Sequence, residues 1–451
     1  MMSAGHKQTV KKNRKILSSI VNTVKLCARQ NIPMRGKKDF GKLSNLHDFE
    51  AERNEGNFRA LLRFRVSCGD EELGQHFLSG PGNAAYYSKE VQNELIETCG
   101  EIVLKKVVQN VNCARYFSVM ADETADVSKK EQFSLCVRYV HCEEGQPENI
   151  SVREDFLGFQ EVTDMTGANL ANTILQRLAD IGIALDGMRG QGYDGASNMS
   201  GVFQGVQAHI LNKYPLALYT HCASHRLNLV LCKACTIGPM SKCMRHISDV
   251  ITFFNDSPKR LNLLQQAIQA LFPESKRETL IKLCQTRWVE RHDSVLRFAE
   301  LISPIVHALE QLSECGQGDV EAKADLLKHR IQSLEFIVSL KVAECVLSIT
   351  LSLSEALQAK SCDVVKCMEM VESVKRVIDH LVDDADVEYQ NLFEEVKEVC
   401  LNLSVPLSLP PSIARRQLDT DVALHYKATI FISFLHCITS ELGRRSVIAT
   451  V

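Results

Sequence analysis

The sequence predicts an α/β protein, with a stretch rich in strands, a helical basic segment ahead of it and a long all-helical stretch behind it. Three observations predict this. Phe133, Leu135, Val137 and Tyr139 alternate strictly with Ser134, Cys136 and Arg138, the period of a strand with one buried face. Short apolar runs lie on either side, Tyr116 to Ala121 and Val152 to Phe159, so three strands follow one another before helical spacing returns. After Cys222 the apolar residues recur at helical spacing through about residue 402.

The elements follow in order. Residues 1–30 are expected to be helical, because Ile16, Ile20, Val24 and Cys27 step by three or four, and Pro33 and Gly36 end the segment. Residues 31–60, including His47, Asp48, Phe49, Asn57 and Phe58, read as a loop and then a short helix. An amphipathic helix is expected over 88–112, its inner face marked by Val91, Leu95, Cys99, Ile102 and Val107. The three strands come next, with Glu143-Glu144-Gly145-Gln146-Pro147 as a turn. A helix from Thr166 to Ile181 places Leu170, Ile174, Leu175 and Leu178 on one side. Met188 to Tyr193 is a fourth strand, Val202 to Lys213 a helix and Leu216 to Thr220 a fifth strand. In the helical remainder Leu261, Leu263, Leu264, Leu326, Leu327, Ile331, Leu334, Ile337 and Leu340 keep helical spacing, and Asp379 to Leu403 is acidic and amphipathic. Pro406, Pro410 and Pro411 break the run, and a last helix is expected from Tyr426 to Leu442.

A hydrophobic content of 45% and a charged content of 24% are ordinary for a soluble globular protein. The net charge of −3 excludes a chain that is a polycation throughout. The charge is unevenly placed: residues 1–43 carry eleven Lys/Arg against one Asp, a net of +10, which leaves −13 for the rest. A basic arm on an acidic body points to a nucleic-acid contact or nuclear targeting, with a solvated helix face as the plain alternative. No apolar run near 18 residues is evident, so no transmembrane span is expected, and no secretory signal opens the chain. Seventeen cysteines in such a chain argue for reduced intracellular thiols. A nuclear location is expected, with the cytoplasm as the alternative.

Two acidic motifs stand out. Phe117-Ser118-Val119-Met120-Ala121-Asp122-Glu123-Thr124 and Gly192-Tyr193-Asp194-Gly195-Ala196-Ser197-Asn198-Met199 each read as an apolar strand ending in a carboxylate and a turn. Carboxylates at the ends of neighbouring strands can share divalent ions, and two-metal phosphoryl chemistry needs metals roughly 3.5–4 Å apart. Oxygen ligands suit Mg²⁺ or Mn²⁺. The plain alternative is that each Asp makes a turn. Gly195, Ser197, Asn198 and Gly201 form a turn-rich loop that caps the next helix, and no Gly-Lys-Ser/Thr follows to make it a phosphate loop. Two further motifs are Thr220-His221-Cys222-Ala223-Ser224-His225-Arg226-Leu227-Asn228-Leu229 and Gln285-Thr286-Arg287-Trp288.

Taken in order, these four motifs resemble the catalytic region of hAT-superfamily transposases, over roughly residues 30–440. The likeness takes in their domesticated, zinc-finger-MYM-like members. The resemblance implies an α/β ribonuclease H-like mixed sheet interrupted by a large all-α insertion, with a helical N-terminal region. The implied divisions are residues 1–112 (basic arm and helical region), 113–235 (sheet core with its first five strands), 236–405 (helical insertion) and 406–451 (terminal helix, an incomplete return to the core). It also implies that Asp122 and Asp194 are the first two catalytic, metal-binding acids, and that Cys222, His225, Arg287 and Trp288 are family signature positions.

The third acid of such a triad is expected in a motif resembling Glu-Arg-x-Phe-Ser, and this sequence contains none. Glu394, Glu395, Glu398 and Glu441 are acids in the right half of the chain, in other contexts. Zinc-finger and dimerisation segments of longer relatives have no counterpart here. Catalytic activity is therefore not expected, and Asp122 and Asp194 read as vestigial. Cys222-x-x-His225, with Cys232-x-x-Cys235 and Cys243-x-x-His246, has zinc-like spacing, although helix-start pairs give the same spacing. Trp288, the one Trp, has two open readings: stacking on a flipped base, or anchoring the helical part. The expected partners are DNA, other proteins or a second copy, without a membrane or small-molecule substrate. An active metal-dependent transposase or nuclease, and a protein-interaction scaffold in transcription or signalling, are the alternatives.

Overall fold

The computed structural model describes residues 4–37, 39, 43, 54–80, 85–125, 128, 130–143, 145–275, 278–283, 288–316, 318–357, 359, 364–409 and 421–445. It divides into two compact units, Met1–Cys113 with Ile181–Ile183, and Ala114–Asp180 with Ala184–Val451.

The first unit is helical. Its helices are α1 (Ala4–Arg29), α2 (Asn57–Ser67), α3 (Glu71–Ser79) and α4 (Lys89–Ala114). Ile16, Ile20 and Val24 of α1 pack with Phe58, Leu62 and Val66 of α2 and Leu73 of α3. Asp70 caps α3 by accepting from the Leu73 N–H, and also accepts from Ser19 Oγ at 2.7 Å, so one carboxylate ties α3 to α1. The expected inner face of α4 is only partly right. Val107 is buried, but Ile102 is 63% exposed, and Gln92, Val108 and Val111 complete the buried set. Gln92 is kept inside by donating to the Tyr87 carbonyl at 3.1 Å. His47, Asp48 and Phe49 lie outside the described residues.

The second unit opens with a five-stranded sheet in the order β3-β2-β1-β4-β5. The strands are β1 (Phe117–Ala125), β2 (Glu131–Glu143), β3 (Gln146–Glu161), β4 (Met188–Tyr193) and β5 (Leu218–His221). β1, β2 and β3 form the expected antiparallel meander, and β4 and β5 add in parallel beside β1. Phe133, Leu135, Val137 and Tyr139 are all buried, as their alternation required. The parallel strands are joined by α5 (Gly167–Asp180), α6 (Ser197–Ser200) and α7 (Val206–Lys213). Leu170, Ile174, Leu175 and Leu178 form the buried side of α5.

From Ala223 onward the described chain is helical: α8 (Ala223–Ala234), α9 (Gly238–Asn255), α10 (Pro258–Leu271), α11 (Trp288–Glu300), α12 (Ile302–Cys315), α13 (Asp319–Ile331), α14 (Leu334–Ala356), α15 (Val364–Asp383) and α16 (Ala385–Asn402). A final helical stretch, Val422–Tyr426, Lys427–Ile432 and Ser433–Arg445, contains a wider π-type turn in its middle segment. It packs into the same apolar core as α8 and α14 through Tyr426, Ile430, Phe431, Phe434 and Leu435. α14 is apolar nearly all round and lies inside this core, which accounts for its composition. The reading that no stretch is long and apolar enough to span a membrane is corrected here: Leu334–Ala356 and Val422–Arg444 both are, by length and composition, and most of the α14 window is buried in the protein.

Candidate functional site

The two acids lie at the same end of two neighbouring strands. β1 and β4 run parallel, and their last paired residues are Met120 and Gly192. Asp122 and Asp194 each follow two residues later, so the strand carboxyl ends place both acids at one rim of the sheet. Asp122 is exposed on the face opposite the buried Val119 and Ala121. Its strand is held against β2, where the Ser134 hydroxyl donates to the Asp122 carbonyl at 3.1 Å.

Asp194 makes the turn that sequence chemistry anticipates. Its Oδ1 accepts from the Ala196 N–H at 3.0 Å, and its carbonyl accepts from the Tyr219 hydroxyl at 2.9 Å. Asn198, on the same loop, donates from Nδ2 to Glu123 Oε1 at 2.8 Å. Glu123 is therefore part of the rim, a residue that the sequence reading passed over although it adjoins Asp122. Its carboxyl is pushed above the ordinary glutamate value by burial. The Asn198 hydrogen bond pulls it back, and the negative charges of Asp194, Glu131 and Asp122 raise it further.

The third motif closes the rim. β5 ends at His221, and Cys222, exposed, is the residue at which α8 begins. The Cys222 N–H donates to the Tyr193 carbonyl at 2.9 Å, which fixes the start of α8 to the end of β4. The His221 and His225 rings lie 5.5 Å apart. Gly195 fits under them: a Cβ there would sit 2.5 Å from His221 Cε1 and 3.5 Å from His225 Nε2. The loop after the second acid and the imidazoles of the third motif are thus in direct packing. Tyr219, half-buried beside them, has its phenol pushed up to about 12, by burial first and then by Asp194 and Cys222, against the nearby Arg226. Ser224 Oγ donates to the Leu357 carbonyl at 3.3 Å, bringing the end of α14 to the same motif.

The remaining candidates separate from this rim. Cys235 and Cys243 are buried in the helical core, and burial together with the neighbouring Cys235 pushes the Cys243 thiol well up. Such a thiol is a small apolar core residue. Arg287 lies outside the described residues, and so does the Trp288 side chain, although Trp288 itself opens α11. Glu394 pairs with Lys397 at 2.7 Å, Glu395 with Lys341 at 3.2 Å and Glu441 with Arg444 at 2.7 Å, while Glu398 is exposed. Among the described residues no group of three His, Cys, Asp or Glu side chains is arranged to hold a metal ion. Asp122 and Asp194 offer hard oxygen donors of the kind Mg²⁺ or Mn²⁺ takes. One Asp194 oxygen is already engaged by its own turn, so the set as it stands does not fit a two-metal centre, and no reaction step is derived through one.

Residues 1–205 match the family model described as DUF4371: ZMYM1/FAM200, RNase-like domain, a span that includes both acids and the loop after the second. The matched span takes in the first 205 of the 451 residues. Over almost its whole length the chain is similar to a protein called the 52 kDa repressor of the inhibitor of the protein kinase. The Homo sapiens protein is 27% identical over 451 residues, covering 96% of this chain and 57% of the relative. The Mus musculus protein is 26% identical over 452 residues, with the same shares. The chain therefore spans just over half the length of these curated relatives.

Proposed function

We propose that this chain is a hAT-like, ribonuclease H-like protein that acts by binding nucleic acid or protein rather than by cutting DNA, and that it works in the nucleus. The observation that carries the reading is the rim itself. Asp122 and Asp194 stand at the carboxyl ends of adjacent parallel strands, as a metal-dependent phosphoryl-transfer site requires, yet the acid beside them, Glu123, is turned to the other face and engaged by Asn198. A two-acid site holds two metals poorly and loses the charge stabilisation of an in-line displacement. The helical part from Ala223 onward reads as the insertion of the hAT plan. The name of the relatives, a repressor acting on an inhibitor of a kinase, favours a regulatory role by binding.

The competing reading is an active transposase or nuclease in a form that supplies a third carboxylate. It is favoured by the rim geometry and by the greater length of the relatives. Incubating the purified chain with hairpin and linear duplex DNA in millimolar Mn²⁺ separates the two. The expected result is no cleavage or strand transfer. Cleavage that disappears in both Asp122→Ala and Asp194→Ala would establish the enzyme instead.

A further inference from the structure

We infer that the exposed face of α1 is a contact surface for the phosphate backbone of double-stranded DNA. The inference rests on the nucleic-acid part of the function proposed above, and it names the surface and the form of the partner. α1 contains Lys7, Lys11, Lys12, Arg14, Lys15, Lys25 and Arg29 and no acidic residue in 26. At 3.6 residues per turn, Lys7, Lys11, Arg14, Lys25 and Arg29 fall in one stripe, with Ser18 and Asn22 between them. All seven are exposed. Ile16, Ile20, Val24 and Cys27 occupy the opposite side and are buried. Lys15, beside the stripe, is paired with Glu72 at 2.7 Å, whereas none of the five stripe cations has a carboxylate partner among the described residues.

The stripe is not well explained as a solvated face. Such faces mix signs, and like charges three or four residues apart destabilise a helix. Here Lys7 and Lys11, Lys11 and Arg14, and Lys25 and Arg29 are like pairs at those spacings. A polyanion laid along the helix relieves that repulsion. The charge is also local, since residues 1–43 carry +10 while the rest of the chain carries −13.

Three features select duplex DNA among polyanions. From Lys7 to Arg29 the helix rises about 33 Å, close to the roughly 34 Å of one duplex turn. Single strands are held chiefly by stacking on aromatic rings, and α1 has no Phe, Tyr or Trp. A membrane surface takes up the apolar side of a basic amphipathic helix, and in α1 that side is already spent in the protein core. The contact reads no sequence, because point-charge lysines and arginines on phosphates position a protein without identifying bases.

The test uses the full chain and a 30-base-pair duplex of arbitrary sequence, with binding followed by fluorescence anisotropy between 50 and 200 mM KCl. The variants are Lys7→Gln/Lys11→Gln/Arg14→Gln and Lys25→Gln/Arg29→Gln, with circular dichroism confirming the helical fold. Each lost phosphate contact lowers the slope of log K against log salt by about 0.9, so the triple variant should lose about 3 and the double variant about 2. The loss should be equal on two unrelated sequences. If the wild-type chain binds and neither variant changes its slope, the surface is wrong and DNA binding elsewhere stands. If the wild-type chain binds no duplex at 50 mM salt, the nucleic-acid reading itself falls. Tighter, stripe-dependent binding to a single strand or to phosphatidylserine vesicles would overturn the choice of partner.

Discussion

Asn198 donates its side-chain amide to Glu123 Oε1 at 2.8 Å, joining residues 75 positions apart across the rim of the sheet. The bond ties the loop that follows the second acid to the strand that carries the first. Removing the donor by Asn198→Ala should cost about 1 kcal/mol, a typical net hydrogen bond. A double-mutant cycle with Glu123→Ala measured by urea unfolding should show coupling, and additive effects would mean the bond contributes nothing.

Glu123 also sets a pH dependence. Its folded carboxyl lies above the ordinary value, mainly through burial, so the folded state binds its proton more tightly than the unfolded chain. Its contribution to stability is full below the ordinary glutamate value of 4.5 and is lost as pH rises through the folded value. Glu123→Gln keeps an acceptor for Asn198 and removes the charge. The variant should unfold at or above the wild-type temperature at pH 7, and the gap should change as pH falls below the folded value and the wild-type carboxyl takes up its proton. A lower melting temperature for the variant at pH 7 and no pH trend would refute this.

Gly195 is the point where two motifs meet. Gly195→Ala would set a methyl group 2.5 Å from His221 Cε1, and overpacking of this kind costs about 1–3 kcal/mol. The lower end is expected, because the imidazole can turn away. In a His221→Ala background the same change should be nearly silent. Equal destabilisation in both backgrounds, by thermal unfolding, would place the clash elsewhere.

His292 and Thr350 make a fully buried side-chain pair joining α11 to α14, with His292 Nε2 3.0 Å from Thr350 Oγ1. Thr350→Val keeps the shape and removes that hydroxyl. The buried imidazole then loses this contact, and a cost of about 1–3 kcal/mol is expected. Denaturant midpoints measure it, and an unchanged midpoint would show the pair to be neutral.

The cysteines should fall into two kinetic classes. Cys68, Cys113, Cys142, Cys222 and Cys315 are exposed, whereas Cys27, Cys235, Cys243 and Cys400 are buried. Burial also raises the Cys243 and Cys400 thiols, the latter to about 11, which suppresses the reactive thiolate. Ellman's reagent should label the first class in minutes and the second only on unfolding. Fast labelling of Cys243 in the folded chain would contradict its placement.

The sequence alone determined the local features. Strict alternation made β2 a half-buried strand, three-and-four spacing made α1 and α5 amphipathic, and two carboxylates after apolar runs marked the strand ends. These patterns are short-range, so periodicity carries them. Which face of α4 turns inward was not legible, because Ile102 and Val107 are both apolar, and only the neighbours that pack on the helix choose between them. The tertiary structure alone decided that Glu123 belongs to the rim, that Gly195 lies under His221 and His225, and that Cys235 and Cys243 are core residues while Cys222 is exposed. Strand register and chain crossover bring those residues together from positions tens of residues apart. Spacing along a chain holds no record of such distances.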